Sequence, residues 1–349
     1  MNPNADLAGA AADSLSGSPL DLLRIGAVRV GGDLAARELI VASGGDRIRF
    51  LHGIVTGNVA GTPVGGGARS VLLTPKGHIV ADMRIFVRPD DVWIAVAPGL
   101  AEPTAAALSR YAIMDDFAAA PRAGFASIGL YGPGAAQRLA AAGLAPGDLA
   151  ARPLWSHAEV ADPDGQNPDP GSLWLVRARE LGTDGFWIAG NLAAVAAADA
   201  RLAAAGVPAL DGALAEVARI VAGEPKAGAE ITADYFPMEV GLDDAIDYSK
   251  GCYLGQEPIV RIRDRGHINW RLVGLEVAGA DDPSPGDALE SDVKPRAGRV
   301  TSVARAPGAA AVALALAHVS VPDGSAVRIK HGDQVILARV RAGAPLRVP

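Results

Sequence analysis

Short apolar runs alternate with polar and turn-forming residues along most of the chain. Runs rich in β-branched residues and bounded by Pro, Gly or Asp are typical of strands, and apolar positions that recur every three or four residues behind a capping residue are typical of helices. This pattern predicts strands at residues 38–42, 69–74, 78–87, 92–97, 127–131, 173–177 and 186–189. It predicts helices at residues 47–56, 102–113, 133–142, 192–205 and 211–222. Tight turns separate the three runs between residues 69 and 97, so these runs predict an antiparallel meander.

The pattern changes near residues 269–272, after which strand-like runs follow one another without a convincing helix. These runs are 272–277, 298–304, 311–317, 326–330 and 335–340. Short strands at this spacing predict a small β-barrel. We therefore expect an α+β region of two intertwined subdomains over residues 20–270 and a β-barrel over residues 271–349. Residues 1–19 have no leader-like pattern and are expected to form a disordered tail, and residues 162–171 are expected to form a surface loop.

The composition is that of a folded protein. Half of the 349 residues are hydrophobic, which is enough for a sizeable core. No apolar run reaches the length of about 18 residues that a membrane span needs, so no membrane partner is expected. The net charge of −7 opposes general binding to nucleic acid, and any anion site must be local.

Cys252 is the single cysteine of the chain. One cysteine excludes an internal disulfide, and it excludes a zinc or iron–sulfur site built from several thiolates of this chain. The six histidines are scattered without a ligand-like spacing, and the common metalloprotease, nucleotide-binding and hydrolase motifs are missing. We therefore expect no stably bound metal and a reducing, cytoplasmic location.

The segment around Cys252 is the part of the sequence most suggestive of chemistry. Cys252 follows Lys250 and Gly251 and precedes Tyr253 and Gly255. A thiol beside a lysine and between glycines is expected to be accessible and reactive, because glycines favour a tight backbone conformation and a nearby cation favours the thiolate. The alternative is a buried cysteine that packs as a small hydrophobic residue. The residues alone leave both interpretations open.

This segment resembles the signature region of the YgfZ family, the folate-binding relatives of the glycine-cleavage T protein (aminomethyltransferase). The resemblance rests on one octapeptide, supported by residues 219–220, 223–225 and 237–239. The octapeptide consists of Lys250, Gly251, Cys252, Tyr253, Leu254, Gly255, Gln256 and Glu257. Weaker matches at 76–82, 298–302 and 313–315 extend the similarity over about residues 24–345. The resemblance implies the T-protein-like fold, tetrahydrofolate as ligand, and a role in the maintenance of iron–sulfur enzymes and in tRNA modification.

The same resemblance assigns roles to individual residues. Asp82 matches an aspartate that lies near the reactive nitrogen of tetrahydrofolate in the T protein, and we expect folate near Asp82 and Met83. A glutamate grips the pterin ring in the T protein, but its place is taken by Val221 in this chain. Valine cannot accept hydrogen bonds from the N–H donors of a pterin, so pterin recognition must differ or weaken here.

Arg261, Arg263 and Arg265 recur at every second position. On an extended segment they would project from one face and form a cationic strip, which could bind the glutamate tail of folate. The alternative is a solvated edge strand whose charges deter aggregation. Phosphates of tRNA would contact the same residues, so the strip does not separate folate from tRNA as a partner.

These observations predict a tetrahydrofolate-binding accessory protein that supports iron–sulfur cluster assembly or repair in client enzymes, with Cys252 as the working thiol. Its partners would be folate and the iron–sulfur client or assembly proteins. One alternative is an aminomethyl or one-carbon transferase, in which Asp82 orients or deprotonates the folate nitrogen. The other is a tRNA-modification factor, which the acidic net charge disfavours.

Overall fold

The computed structural model describes residues 20–160 and 173–341; the expected tail at 1–19 and the expected loop at 162–171 lie outside these ranges. The helices are α1 (Leu22–Ile25), α2 (Arg47–Ile54), α3 (Ala101–Ser109), α4 (Ala135–Ala141), α5 (Leu192–Ala204), α6 (Gly212–Ala222) and α7 (Gln256–Arg265). The strands of the first half are β1 (Val28–Val30), β2 (Glu38–Ser43), β3 (Gly67–Leu73), β4 (Ile79–Val87), β5 (Val92–Val96), β6 (Ala118–Arg122), β7 (Phe125–Tyr131) and β8 (His157–Val160). Those of the second half are β9 (Leu173–Glu180), β10 (Thr183–Asn191), β11 (Ala209–Leu210), β12 (Trp270–Val277), β13 (Ala288–Glu290), β14 (Gly298–Arg305), β15 (Ala311–His318), β16 (Ala326–His331) and β17 (Gln334–Val340).

Two α+β subdomains share the first part of the chain. Five strands form sheet 1 in the order β3-β4-β5-β2-β6, and six strands form sheet 2 in the order β11-β1-β7-β10-β9-β8. The chain enters sheet 2 at β1, builds all of sheet 1, and returns to sheet 2 at β7. The subdomains are therefore intertwined, as the sequence predicts. The antiparallel meander is also confirmed, because β3 pairs with β4 and β4 pairs with β5 in antiparallel fashion.

Apolar side chains of β4 and β5 pack on one face of sheet 1 against helices α2 and α3. Met83 lies in this core together with Ile85 and Ile94. Because successive side chains of a strand point to opposite faces, Asp82 and Arg84 project from the other face, toward sheet 2. The alternation along β4 therefore decides which residues reach the space between the subdomains.

The C-terminal strands close into a barrel in the order β12-β15-β14-β13-β16-β17, with β12 paired to β17. The sequence predicts five of these strands and misses β13, which has only three residues and pairs with both β14 and β16. The buried Glu239 accepts hydrogen bonds from the backbone N–H groups of Asn269 (3.3 Å) and Trp270 (3.2 Å), and it thereby fixes the start of the barrel to the preceding segment. Within the described part of the chain, no helix is both long enough and apolar enough to cross a membrane.

Tryptophan side chains of both sheets meet in a common core. Trp93 of sheet 1 packs against Trp174 of sheet 2 with ring centroids 4.8 Å apart. His157 lies beside the same cluster, 5.4 Å from the ring of Trp174 and 5.5 Å from that of Phe86. Burial, helped by the nearby charge of Arg88, lowers the pKa of His157 to about 4. Protonation of this histidine is therefore costly in the folded state.

We expect the protein to lose about 3 kcal/mol of stability as the pH falls from 6.5 to 4, through His157 alone. An unfolded histidine has a pKa of about 6.5, so between these values the unfolded state binds a proton that the folded state does not bind. Denaturant unfolding at a series of pH values measures the slope. The variant His157→Phe should have a flatter profile between pH 6.5 and 4, and an identical slope in the two proteins would contradict the prediction.

Candidate functional site

A cleft of about 600 Å³ opens between the loop after α2, the first residues of β3 and the segment that precedes the octapeptide. Its wall includes side chains that differ in chemistry: Asn58, Arg69, Trp155, Asp244, Asp247 and Tyr248. The last residue of this wall along the chain is Ser249, and the octapeptide begins at the next residue. The cleft has the size of a small-molecule site and combines aromatic, acidic and basic groups.

Asp82 does not line the cleft itself but forms an ion pair with Arg69, which does. Its carboxylate accepts hydrogen bonds from Arg69 at 3.2 Å to each oxygen and from Arg84 at 2.6 Å. Arg69 lines the cleft, where its other nitrogen donates to Asp244 at 3.2 Å. Burial on its own would raise the pKa of Asp82, but the two guanidinium groups outweigh it and lower the pKa to about 2. Asp82 is therefore a permanent anion at neutral pH and a poor proton acceptor.

A second buried ionic group lies on the sheet 2 side of the same space. Glu180 accepts hydrogen bonds from Arg37 (2.7 Å), from the Tyr131 hydroxyl and from the Trp187 indole (3.2 Å). Burial would raise the pKa of Glu180, but Arg37 and Arg84 lower it below its ordinary value. Buried ion pairs, of Glu180 with Arg37 and of Asp82 with Arg69 and Arg84, thus lie at the interface between the subdomains.

Two residues that the sequence analysis associates with folate are placed away from the cleft. Met83 is fully buried in the core on the opposite face of β4 from Asp82, so its side chain is not available to a ligand in the cleft. Val221 packs at the edge of the core between the two sheets, and its carbonyl accepts a hydrogen bond from Arg341 at 2.6 Å. Val221 therefore supplies no carboxylate at the position where the resemblance to the T protein implies a pterin-binding glutamate.

Lys250 fastens the octapeptide to helix α2. Its ammonium group donates to the carbonyl oxygens of His52 (2.5 Å), Val55 (2.6 Å) and Gly57 (2.8 Å), at and just beyond the C-terminal end of α2. These three bonds use all three donors of the group. Burial lowers the pKa of Lys250 to about 8, which leaves it mainly charged at neutral pH. Lys250 therefore holds the backbone, and its three donors are used by carbonyl oxygens of the segment 52–57.

Gly255 brings the octapeptide against the turn between β3 and β4. It has φ +78°, and a Cβ atom there would lie 2.4 Å from the carbonyl oxygen of Thr74. Gly77 in the same turn has φ +81° and faces Pro258. The two motifs that carry the family resemblance, 76–82 and 250–257, are thus in direct contact. Tyr253 is buried below this contact, which raises the pKa of its hydroxyl to about 12.

Gly255→Ala is expected to lower the free energy of unfolding by about 2–4 kcal/mol. The added methyl group would clash with Thr74, and alanine would also have to adopt the left-handed conformation. Gly251→Ala is the matched control, because a Cβ at Gly251 meets nothing within 4 Å and should change stability by less than about 0.5 kcal/mol. Denaturant unfolding of both variants tests this difference, and equal stabilities would show that Gly255 is not required.

Cys252 is exposed, which answers one question that the sequence leaves open. The thiol is not a buried packing residue, and the backbone that carries it is fixed on one side by Lys250 and on the other by Tyr253 and Gly255. An exposed thiol on a fixed turn can react with a partner without a change in fold.

The expected cationic strip is wrong in its geometry. Residues 256–265 form helix α7, so side chains two positions apart point in different directions. Arg261 pairs with Glu257 (2.7 Å) in solvent, whereas Arg263 lies over the ring of Tyr248 at 4.9 Å. Gln256 and Glu257 occupy the first turn of the helix, and Arg265 ends it in solvent. Arg263 is thus the arginine of the three that adjoins a cleft residue.

Sequence reasoning missed several residues of the site: Arg69, Arg84, Trp155, Asp244 and Tyr248. The spacing of Asp82 and Arg84 on a predicted strand could have placed both on one face, but the other residues come from distant parts of the chain. Among the described residues, no group of three or more His, Cys, Asp or Glu side chains is arranged to hold a metal ion.

No family model matches the chain. Among curated proteins it is 27% identical over 298 residues to an iron–sulfur cluster assembly factor IBA57 homologue of Neurospora crassa, covering 75% of this chain and 58% of the relative. It is 26% identical over 262 residues to the tRNA-modifying protein YgfZ of Pectobacterium atrosepticum, covering 71% of this chain and 70% of the relative. The chain spans about three fifths of the length of the first curated relatives that it matches.

The fold matches that of the glycine cleavage system aminomethyltransferase T from Bartonella henselae. The TM-score is 0.78 at 22% sequence identity, over 92% of this chain and 86% of that structure. The predicted α+β fold with a C-terminal barrel is therefore confirmed. The resemblance to the YgfZ family is also confirmed, since the homologues of this chain include YgfZ and IBA57 proteins.

Proposed function

We propose that this protein binds a tetrahydrofolate in the cleft and supports the assembly or repair of iron–sulfur clusters in client enzymes. The observation that carries the proposal is the position of Cys252, whose exposed thiol lies three residues beyond Ser249 of the cleft wall. A ligand in the cleft and a partner at Cys252 would therefore contact the same short segment. The relatives named above as an iron–sulfur cluster assembly factor and as a tRNA-modifying protein support this function class.

The residues of the cleft fit the chemistry of folate. Folate has a flat bicyclic ring with N–H donors, a second aromatic ring and an anionic glutamate tail. The cleft offers Trp155 and Tyr248 for the rings and the carboxylate of Asp244 for N–H donors, in a volume of about 600 Å³. When bound, tetrahydrofolate would supply a carrier for one-carbon units.

Arg263 is the residue proposed to bind the glutamate tail. Its guanidinium group lies over Tyr248, a cleft residue, and its present hydrogen-bond partner is the neighbouring, half-exposed Asp264. An ion pair between exposed neighbours is weak, so a carboxylate of the ligand can compete for the guanidinium group. Arg261 offers a matched comparison, because it has the same charge on the same helix but faces solvent with Glu257.

The thiol of Cys252 would act together with a partner protein. One thiolate is one of the four ligands that an iron–sulfur cluster normally takes. Cys252 could therefore bind one iron of a cluster whose other ligands belong to a client or assembly protein. Release of the cluster would restore the free thiol, so the protein would act as a transient ligand.

The variant Cys252→Ser tests the proposal. We expect a loss of at least tenfold in the recovery of iron–sulfur enzyme activity in cells that lack the wild-type protein, with unchanged thermal stability and unchanged tetrahydrofolate affinity. Gly251→Ala is the control, since its site is open and adjacent. Normal client activity with Cys252→Ser would overturn the role of the thiol, and a folded wild-type protein that does not bind tetrahydrofolate or its formyl derivative in a calorimetric titration would overturn the role of folate.

An aminomethyl or one-carbon transferase is the second candidate, favoured by the match to the aminomethyltransferase fold. The pKa of about 2 at Asp82 opposes a role for this residue as proton acceptor, although a permanent anion can still orient a ligand through Arg69. Release of ammonia from an aminomethyl-carrying lipoyl protein, dependent on folate, would favour the transferase. A tRNA factor is supported less well, because the net charge of −7 opposes binding to a polyanion.

A further inference from the structure

Trp155 occupies a backbone conformation that a bulky residue rarely adopts. Its φ is +68°, in the left-handed region, which is unfavourable for a residue with a side chain. Glycine or asparagine would adopt this conformation with less strain. Strain of this kind persists where the surroundings enforce it, and it is concentrated at functional sites.

The surroundings of Trp155 fix its position closely. Its N–H donates to the carbonyl of Arg177 at 2.8 Å, and a Cβ on Gly67 would lie 2.5 Å from its carbonyl oxygen. The indole is held by Arg84, whose guanidinium carbon lies 5.0 Å from the ring centroid, and by the ring of Trp187 at 5.4 Å. The residue as a whole leaves 8% of its surface accessible and forms part of the cleft wall. The backbone hydrogen bond and the contacts of the indole with Arg84 and Trp187 thus fix the position of Trp155 at the cleft.

Asp244 is the carboxylate of the cleft that is best placed to accept hydrogen bonds from a ligand. Its side chain is 63% exposed, and Arg69 contacts its two oxygens at 3.2 and 3.3 Å, which are long distances for a charged pair. Asp247 differs, because its Oδ1 already accepts hydrogen bonds from Ser249 and Lys250 and thereby shapes the turn. Asp244 is therefore available to a ligand, whereas Asp247 has a structural role.

We propose that the planar ring of the ligand packs against Trp155 and donates its adjacent N–H groups to Asp244. Pterin recognition would thereby be transferred to the cleft from the position of Val221, where the carboxylate is missing. This inference rests on the proposed binding of folate, and it assigns recognition of the pterin ring to Trp155 and Asp244. Asp244 would also couple the bound ring to Asp82, since Arg69 contacts both carboxylates.

Calorimetric titration with three probes tests the inference: tetrahydrofolate, pterin-6-carboxylate and p-aminobenzoylglutamate. Asp244→Asn should weaken the binding of the two pterin compounds at least tenfold and leave p-aminobenzoylglutamate unchanged. Asp243→Asn is the matched control, because it removes the same charge from the neighbouring residue, which does not line the cleft. Both variants should have the thermal stability of the wild-type protein, since both side chains are exposed.

Trp155→Leu provides a second and independent arm, with Trp93→Leu as its control. Both tryptophans are buried in the same core, but Trp155 lines the cleft and Trp93 does not. Both variants should lose stability, while only Trp155→Leu should lose about tenfold in affinity for the pterin probes. If Asp244→Asn and Asp243→Asn bind pterins equally well, the inference is wrong although folate binding stands. If the folded wild-type protein binds none of the probes, the proposed folate function fails as well.

Discussion

Lys250→Met is expected to lower the free energy of unfolding by about 3 kcal/mol and to release the segment that carries Cys252. The methionine stem can occupy the space of the lysine stem, but it leaves the carbonyl oxygens of His52 and Val55 without the lysine donor, whereas that of Gly57 keeps the N–H of Val59. A buried acceptor without a partner costs about 1–3 kcal/mol, and water entering this half-buried site would recover part of the total. The cation also interacts favourably with the C-terminal end of α2.

Lys76→Met is the matched control for this variant. Lys76 lies exposed in the turn between β3 and β4, next to the octapeptide but outside the bonds that Lys250 makes. It should change stability by less than about 0.5 kcal/mol. Denaturant unfolding gives the stability of each variant, and hydrogen exchange at residues 250–255 reports whether the segment opens. Equal stability of the two variants would show that the three carbonyl contacts do not fasten the segment.

The function of Lys250 illustrates the limit of reading a motif from its sequence. Proximity along the chain suggests that Lys250 acts on Cys252, yet the ammonium group reaches back almost two hundred residues to the end of α2. The sequence identifies the octapeptide as special and predicts α2 correctly, but the contact between them depends on the packing of the subdomains. Long side chains beside a reactive residue are therefore weak indicators of its activation.

The arginines of helix α7 show a different kind of error. A period of two suggests a strand, but the segment is a helix that holds Pro258 in its first turn. Proline is nevertheless tolerated in the first turn of a helix, where its missing N–H would have no partner in the helix. The buried Ile259 and the partly buried Ile262, three residues apart, carry the helical signal. The spacing of the arginines was a poor guide because their side chains are exposed, and only side chains that pack into a core are constrained to the period of the helix.

The fold was largely predictable because the relevant signals are local. The alternation along β4, the continuous apolar run of β5 and the capping residue Asp211 before α6 are each contained in a few neighbouring residues. The cleft was not predictable in the same way, since it joins Arg69, Trp155 and Asp244 across the chain. A family resemblance identified Asp82 but gave no information on its partners. The partners decide the chemistry, because they hold Asp82 as an anion.

Asp82→Asn is expected to lower the free energy of unfolding by about 3–5 kcal/mol, because it leaves two largely buried guanidinium groups without their shared carboxylate. Arg69 would keep Asp244 as a partner, whereas Arg84 would lose its ion pair while it still lies over Trp155. The change in shape is minimal, so the effect isolates the charge. Asp244→Asn is the control at the other end of the same network, and it should cost less than about 1 kcal/mol since Asp244 is largely exposed.

The pH dependence of the wild-type protein provides a separate check on the same carboxylate. A pKa of about 2 in the folded state lies below the value of about 3.9 in an unfolded chain, so the stabilisation by Asp82 is complete above pH 3.9 and is lost as the pH falls toward 2. This range lies below the titration of His157, so the two effects can be separated in one series. Denaturant unfolding between pH 5 and 2 should show the loss in the wild-type protein, and Asp82→Asn should remove that part of the slope. If Asp82→Asn were as stable as Asp244→Asn, with an unchanged slope, Asp82 would not hold the arginines, and its place behind the cleft would need another explanation.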